Sequence, residues 1–122
     1  MQYVCLFYFD PQVVFNQSAE SRAVLAAVRP HEEELKASGH MITSRALTLP
    51  NEAVTVRVRD GKMSAIEGPF TEAKEVLGGF AVIEARDLND AVSVAARFPL
   101  AKLGSVEVRA VVFGVPDSPV VA

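Results

Sequence analysis

The chain has 122 residues, half of them hydrophobic, and a formal net charge of −3. That length suits one domain with a core of its own, and the apolar share excludes global disorder. The Lys and Arg residues are scattered along a chain of acidic balance, which argues against nucleic acid as the main partner, because phosphate binding needs clustered cations.

Val4 to Phe9, within "YVCLFYF", is aromatic and β-branched with no polar break. Such a run reads as a strand buried on both faces, and Asp10-Pro11 ends it. The single cysteine, Cys5, lies inside this run. It forms no intramolecular disulfide and reads as a small core residue, since a catalytic thiol needs an electropositive, partly open setting.

Ser18 to Ser38 is a helical region with Ser18 or Ser21 as its N-cap. Val24, Leu25, Val28 and Leu35 fit one helical face. Pro30 removes an N–H donor and disfavours helix at Arg29, so a kink or two shorter helices are expected. Gly39 supplies the stop. Met41 to Leu49 reads as a second strand. In "TVRVRDGKMSAI", Val54, Val56 and Val58 alternate with Thr55, Arg57 and Arg59. Asp60-Gly61 then turns the chain back into Met63 to Ile66, which makes a β-hairpin.

After "EGPFTEAKEVL" comes a further strand in "GFAVIEA", then a helix in "DLNDAVSVAARF". Asp87 caps that helix, and Asp90 complements its positive start. Leu88, Ala91, Val92, Ala95 and Ala96 form its small-residue stripe, and Pro99 marks its exit. "SVEVRAVVF" is the last strand. The chain reads as one domain over 1–113 with a tail over 114–122. The order β-α-β, hairpin, β-α-β predicts an α+β fold: a ferredoxin-like sandwich whose helices cover one face of an antiparallel sheet.

Two helices leave the other sheet face bare. In the first strand Val4, Leu6 and Tyr8 point one way, and Tyr3, Cys5, Phe7 and Phe9 the other. At about 25 cal/mol per Å² of apolar area, an open face forgoes several kcal/mol and leaves a sticky patch. A homodimer packed sheet against sheet, with a shared cavity or core, resolves this.

The search for chemistry gives few strong motifs. His31 and His40 lack ligand spacing, and no Cys-x-x-Cys is present, so no metal site is expected. No Gly-rich fingerprint follows a strand and opens a helix, so no nucleotide cofactor is expected. Gly78-Gly79 precedes a strand and reads as a bulge or a close backbone approach. Gly68-Pro69 sets a turn, Phe70 is an apolar plug, and "TEAKE" can form one helical turn capped by Thr71. Glu67, Thr71, Glu72, Lys74 and Glu75 there either bind a polar ligand at a cavity mouth or form a solvated turn. Arg57 shares a strand face with Arg59, and Glu107 shares one with Arg109. These either pair between the sheets and line a polar pocket, or reach solvent at strand ends. His31, followed by three glutamates, is either an acid–base group or a surface residue.

The first residues lack the features of a secretory leader, and no run reaches the about 18 apolar residues of a membrane span. The expectation is a cytoplasmic chain with no membrane partner.

The stretch "VRVRDGKMSAIEGPFTEAKEVLGGFAVIEARDLNDAVSVAARFPLAKLGSVEVRAV" resembles the YCII-related family, in the branch named for its Asp-Gly-Pro-Phe motif. The resemblance implies the ferredoxin-like fold assembled as a dimeric α+β barrel. It also implies that Gly68, Pro69, Phe70, Glu72, Lys74, Glu107 and Arg109 keep the family's pattern. In a shorter branch a His–Asp pair in a cleft is suggested as an active site. Arg29-Pro30-His31 resembles the site of that His, but Phe98 stands where the Asp would be. Glu67 replaces the motif's Asp, and Leu103 stands where many members have His.

Together these readings favour a small polar or amphipathic molecule bound in an inter-sheet cleft. Glu67 or Glu72 would be the acid–base group, with His31 second. Arg57, Lys74 and Arg109 would hold an anionic group. The alternative is a non-catalytic regulatory or interaction protein linked, through the resemblance, to an extracytoplasmic-function sigma-factor pathway.

Overall fold

A computed structural model of the chain describes residues 1–112. The tail expected at 114–122 and the last residue expected in the final strand lie outside the described residues. The order is β1 (Gln2–Phe9), α1 (Pro11–Val14), α2 (Ala19–Ala37), β2 (Met41–Ala46), β3 (Val54–Arg59), β4 (Lys62–Glu67), β5 (Val76–Glu84), α3 (Leu88–Ala95) and β6 (Ser105–Ala110). Short 3-10 turns lie at Pro50–Glu52 and Pro99–Lys102.

Four strands form an antiparallel sheet in the order β2-β5-β1-β6, and β3 pairs with β4 in a separate two-stranded hairpin. With α2 and α3 on one face, this is the ferredoxin-like α+β plan that the element order implies. The period-2 reading of β1 holds. Tyr3, Cys5, Phe7 and Phe9 are buried, while Val4, Leu6 and Tyr8 are half-buried on the other face. Under the helices, Cys5, Ala81 and Ile83 meet Leu35 of α2 and Ala91, Val94 and Ala95 of α3. Phe98 closes this core, its ring edge-on to Phe7 at 4.9 Å.

The helix ends follow the capping residues. The Ser18 hydroxyl accepts from the Ser21 N–H, and the Asp87 carboxylate accepts from the Asp90 N–H. Gly39, at φ +81°, ends α2 with two bonds, Gly39 N–H to Lys36 and His40 N–H to Leu35. Those are the paired bonds of a Schellman stop.

Two expectations are corrected and one is extended. The helix passes through Pro30 as one element, not as two shorter helices. Pro30 and Ala26, whose carbonyl loses its donor, are both exposed, so solvent can satisfy that carbonyl. Meanwhile Ser21, Val24 and Leu35 hold the two halves against one sheet. On α3 the buried edge is Ala91, Val94 and Ala95, with Leu88 and Val92 exposed, so the helix is rolled from the expected stripe. The small residues let it lie close on the sheet. Third, Asp10-Pro11 does more than end β1: Asp10 caps α1, with Pro11 in its first turn.

Gly78 and Gly79 serve as bulge and close approach together. Phe7 pairs with Gly79 and Tyr8 with Leu77, which leaves Gly78 as the extra residue. A Cβ on Gly78 would lie 2.2 Å from the Phe9 ring, and one on Gly79 would lie 2.8 Å from the Arg45 carbonyl oxygen.

Candidate functional site

The register of the sheet defines its open face. Val4 lies beside Val82, Leu6 beside Phe80, and Tyr8 beside Leu77 across the bulge. On the flanks, Thr43 and Arg45 of β2 and Ser105, Glu107 and Arg109 of β6 share that face. The result is an apolar centre between two polar margins. No described residue of the chain forms a second layer over it.

At the Tyr8 end of this face, the two connections to the hairpin rise together. One follows β2, where the Leu47 N–H donates to the Gly78 carbonyl at 2.9 Å. The other is the Gly68–Glu75 loop. Gly68 starts it at φ +107°, a conformation glycine adopts without steric cost. The Gly68 N–H donates to the Ala53 carbonyl at 2.7 Å, and the Thr55 hydroxyl donates to the Gly68 carbonyl at 2.9 Å. The helical turn expected over "TEAKE" does not form; the chain is irregular there, with bends at Thr71, Lys74 and Glu75. Lys74 reaches Asp10 at 3.9 Å, which ties the loop to the end of β1.

Between these connections lies a cavity of about 700 Å³. Tyr8 and Leu77 form its floor, Leu47, Thr48 and Pro50 one wall, and Pro69, Phe70, Thr71 and Glu75 the other. Small-molecule sites have this size and this character, with apolar walls and a few polar groups. Phe70 is not a buried plug. It stands at the rim, 73% exposed, with the Arg57 guanidinium 5.0 Å from its ring centroid. The loop thus roofs a cavity.

The expected site residues fall into separate groups. Pro69 and Phe70 line the cavity, Gly68 shapes the turn above it, and Arg57 stands over Phe70. Glu72 is exposed on the loop, outside the cavity's lining. Glu67 is exposed at the end of β4, on the hairpin face it shares with Val54. Glu107 and Arg109 lie on the open sheet face and meet each other at 4.0 Å, both half or more exposed. Such a pair adds little stability. Tyr8, whose hydroxyl makes it the one phenol on this floor, was legible from sequence only as an outward residue of β1.

His31 sits elsewhere, under α2 on the helical side. Its side chain is 11% exposed and its ring meets Phe98 edge-on at 5.1 Å. Nε2 is buried without a hydrogen-bond partner, and Nδ1 is 3.9 Å from Glu34. Burial lowers its pKa; Glu34 and Glu32 pull it up and Arg97 pushes it down. A cleft of about 700 Å³ opens beside it, with Glu20 and Glu34 opposite Arg97 and Lys102. His31 and Glu67 share no cavity. Among the described residues no cluster of His, Cys, Asp or Glu fits a metal, and no helix is long and apolar enough to cross a membrane.

A family model described as the YCII-related domain matches residues 1–113. Among solved structures, the chain is similar to 5-chloro-2-hydroxyhydroquinone dehydrochlorinase from Burkholderia phenoliruptrix, determined in complex with 2,5-dihydroxybenzoquinone. The TM-score is 0.55 and the identity 19%, over 93% of this chain and 96% of that one. That likeness shows the fold. No curated protein matches the chain.

Proposed function

The chain belongs to the YCII-related family, and from that premise we propose that it binds a small, oxygen-bearing molecule in the cavity beneath the Gly68–Glu75 loop. The observation that carries this is the cavity itself, about 700 Å³ between Tyr8 and Phe70 at the open end of an uncovered sheet face. Its apolar walls suit a ring or short chain. The Tyr8 phenol, the Thr48 and Thr71 hydroxyls and the Glu75 carboxylate suit a ligand with hydroxyl groups, which can both donate and accept. A second copy packed on the open sheet face would close the cavity and complete the dimeric α+β barrel. Within the family we place the chain in the Asp-Gly-Pro-Phe branch, with Glu67 in the place of the Asp. The similar dehydrochlorinase holds a hydroxylated quinone, and that supports hydroxylated rings as the first class to try.

The test is a thermal-shift screen with catechol, benzoate and 2,5-dihydroxybenzoquinone. At a hundredfold excess over its Kd a binder adds about 2.7 kcal/mol of stability. The reading expects a shift with at least one of these, reduced in Phe70→Ala and Tyr8→Phe. No shift with any of them would sink it.

A second reading has its own observation. The His31 ring lies beside a cleft with Nδ1 3.9 Å from the Glu34 carboxylate, and that favours acid–base work on the helical side. Phe98, occupying the position of the shorter branch's Asp, weighs against a His–Asp reaction there. A regulatory role in a sigma-factor pathway draws on the family resemblance alone.

A further inference from the structure

The β3–β4 hairpin pairs with no strand of the main sheet. Its Asp60-Gly61 turn has positive φ at both residues, 52° and 73°, so the turn chemistry is well matched to the hairpin. Yet isolated two-stranded hairpins are marginal in water and need a further layer on one face. The register shows which face. Val56 pairs with Ala65 and Val58 with Met63, on one side with Val54, and Glu67 stands opposite Val54 at the end of that side. Arg57, Arg59 and Lys62 are on the other. Val56 is 61% exposed and Met63 67%, and no described residue covers them. The valine side is the more apolar of the two, since the other side sets Ile66 among Thr55, Arg57, Arg59, Lys62 and Ser64, and a one-sided apolar pattern marks a face meant for burial.

Area and symmetry select the occupant. The valine face presents on the order of 400 Å², which is a functional-sized patch but half of the roughly 800 Å² per partner in a standard interface. The open sheet face, with Val4, Leu6, Tyr8, Phe80 and Val82 half-buried and Leu77 37% exposed, adds further apolar area. A partner that covered both would reach a stable interface, and a second copy carries both surfaces itself. A two-fold axis lets each chain's arm and sheet be covered in one step.

We propose that β3–β4 is an arm whose valine face docks on a second copy of the chain. This rests on the pairing of copies proposed above. Both connections to the arm are walls of the cavity, so docking the arm fixes the roof of the ligand site. The cavity is then complete only in the dimer.

A cysteine reporter tests this. Val56→Cys puts a thiol on the valine face, and Lys62→Cys puts one on the basic face. The native Cys5 is fully buried, and burial pushes its thiol up to about 11, so it stays silent. Labelling with a maleimide is followed from dilute to concentrated protein, with mass measured by light scattering. The expected result is a dimer in which Val56→Cys labels about tenfold slower than Lys62→Cys, as burial in an interface requires, with the difference lost on dilution to monomer. A monomer at every concentration overturns the pairing of copies itself. A dimer whose Val56→Cys labels as fast as Lys62→Cys overturns the arm alone. Protection of Val56→Cys that persists once light scattering shows a monomer means that the chain covers its own arm, and it overturns the arm as well. The ligand screen reads the cavity independently of these outcomes.

Discussion

The imidazole of His31 meets the ring of Phe98 edge-on, with centroids 5.1 Å apart, and leaves its Nε2 buried with no partner. The contact has a consequence for stability. Burial holds the ring neutral in the folded chain, so its pKa lies below the ordinary value of about 6.5. The unfolded chain therefore takes up the extra proton first as pH falls. This contribution to stability is whole above about pH 6.5 and is lost as the pH falls through that value toward the lowered one. Urea unfolding at pH 7.5 and 5.5 should show a lower midpoint at 5.5. His31→Leu should reduce that difference and cost little at pH 7.5, because it removes an unsatisfied polar atom. An unchanged difference in the variant would place the pH sensitivity elsewhere. Asp90 is set apart by its window: the Arg86 N–H lowers its pKa, so its contribution is lost only in stronger acid.

Gly78 is the bulged residue of β5, and its missing side chain makes room for Phe9. Gly78→Ala would force the Phe9 ring from its place in the core. The expected loss is about 1–3 kcal/mol, the usual cost of overpacking, read by chemical denaturation. Gly68→Ala differs in kind: nothing lies within 4 Å of its Cβ, so backbone strain alone should cost about 1–3 kcal/mol. Gly68→Asn should recover part of that loss, because Asn tolerates positive φ better, whereas Gly78→Asn should not.

Glu67 belongs to the motif, but its place is on the arm and outside the cavity lining. At matched oligomeric state, Glu67→Gln and Glu67→Asp should leave binding of a ring compound within about twofold of the parent, since both substitutions nearly keep the side chain's size and fall outside the cavity lining. A loss of tenfold or more in titration calorimetry would put Glu67 in the site after all.

The sheet was readable because its strands carry period-2 patterns and its turns carry special residues. The alternation in β1, the Asp60-Gly61 turn, the Ser18 and Asp87 caps and the Gly39 stop are all local chemistry. The continuity of α2 through Pro30 was not readable. It depends on which residues face the sheet and which carbonyl faces water. The roll of α3 is a packing outcome among small residues, where any of several faces is apolar enough. For the site, the Gly-Pro-Phe stretch pointed to a loop that lines a cavity. That cavity is assembled from β1, the connection after β2 and the loop, far apart in the chain, so Tyr8 gave no local sign of its place on the floor. The Phe98 position was legible as a substitution, and the structure adds that its ring touches His31.

The central claim is that a ligand lies between Tyr8 and Phe70, and the most direct measurement is the map of amide shifts in a two-dimensional NMR titration with the hydroxylated ring compounds. The account predicts saturable shifts centred on Tyr8, Thr48, Phe70, Thr71 and Leu77, weakened by Phe70→Ala. Shifts centred on His31, Glu34, Arg97 and Phe98, or no saturable shift with any of the compounds, would contradict it.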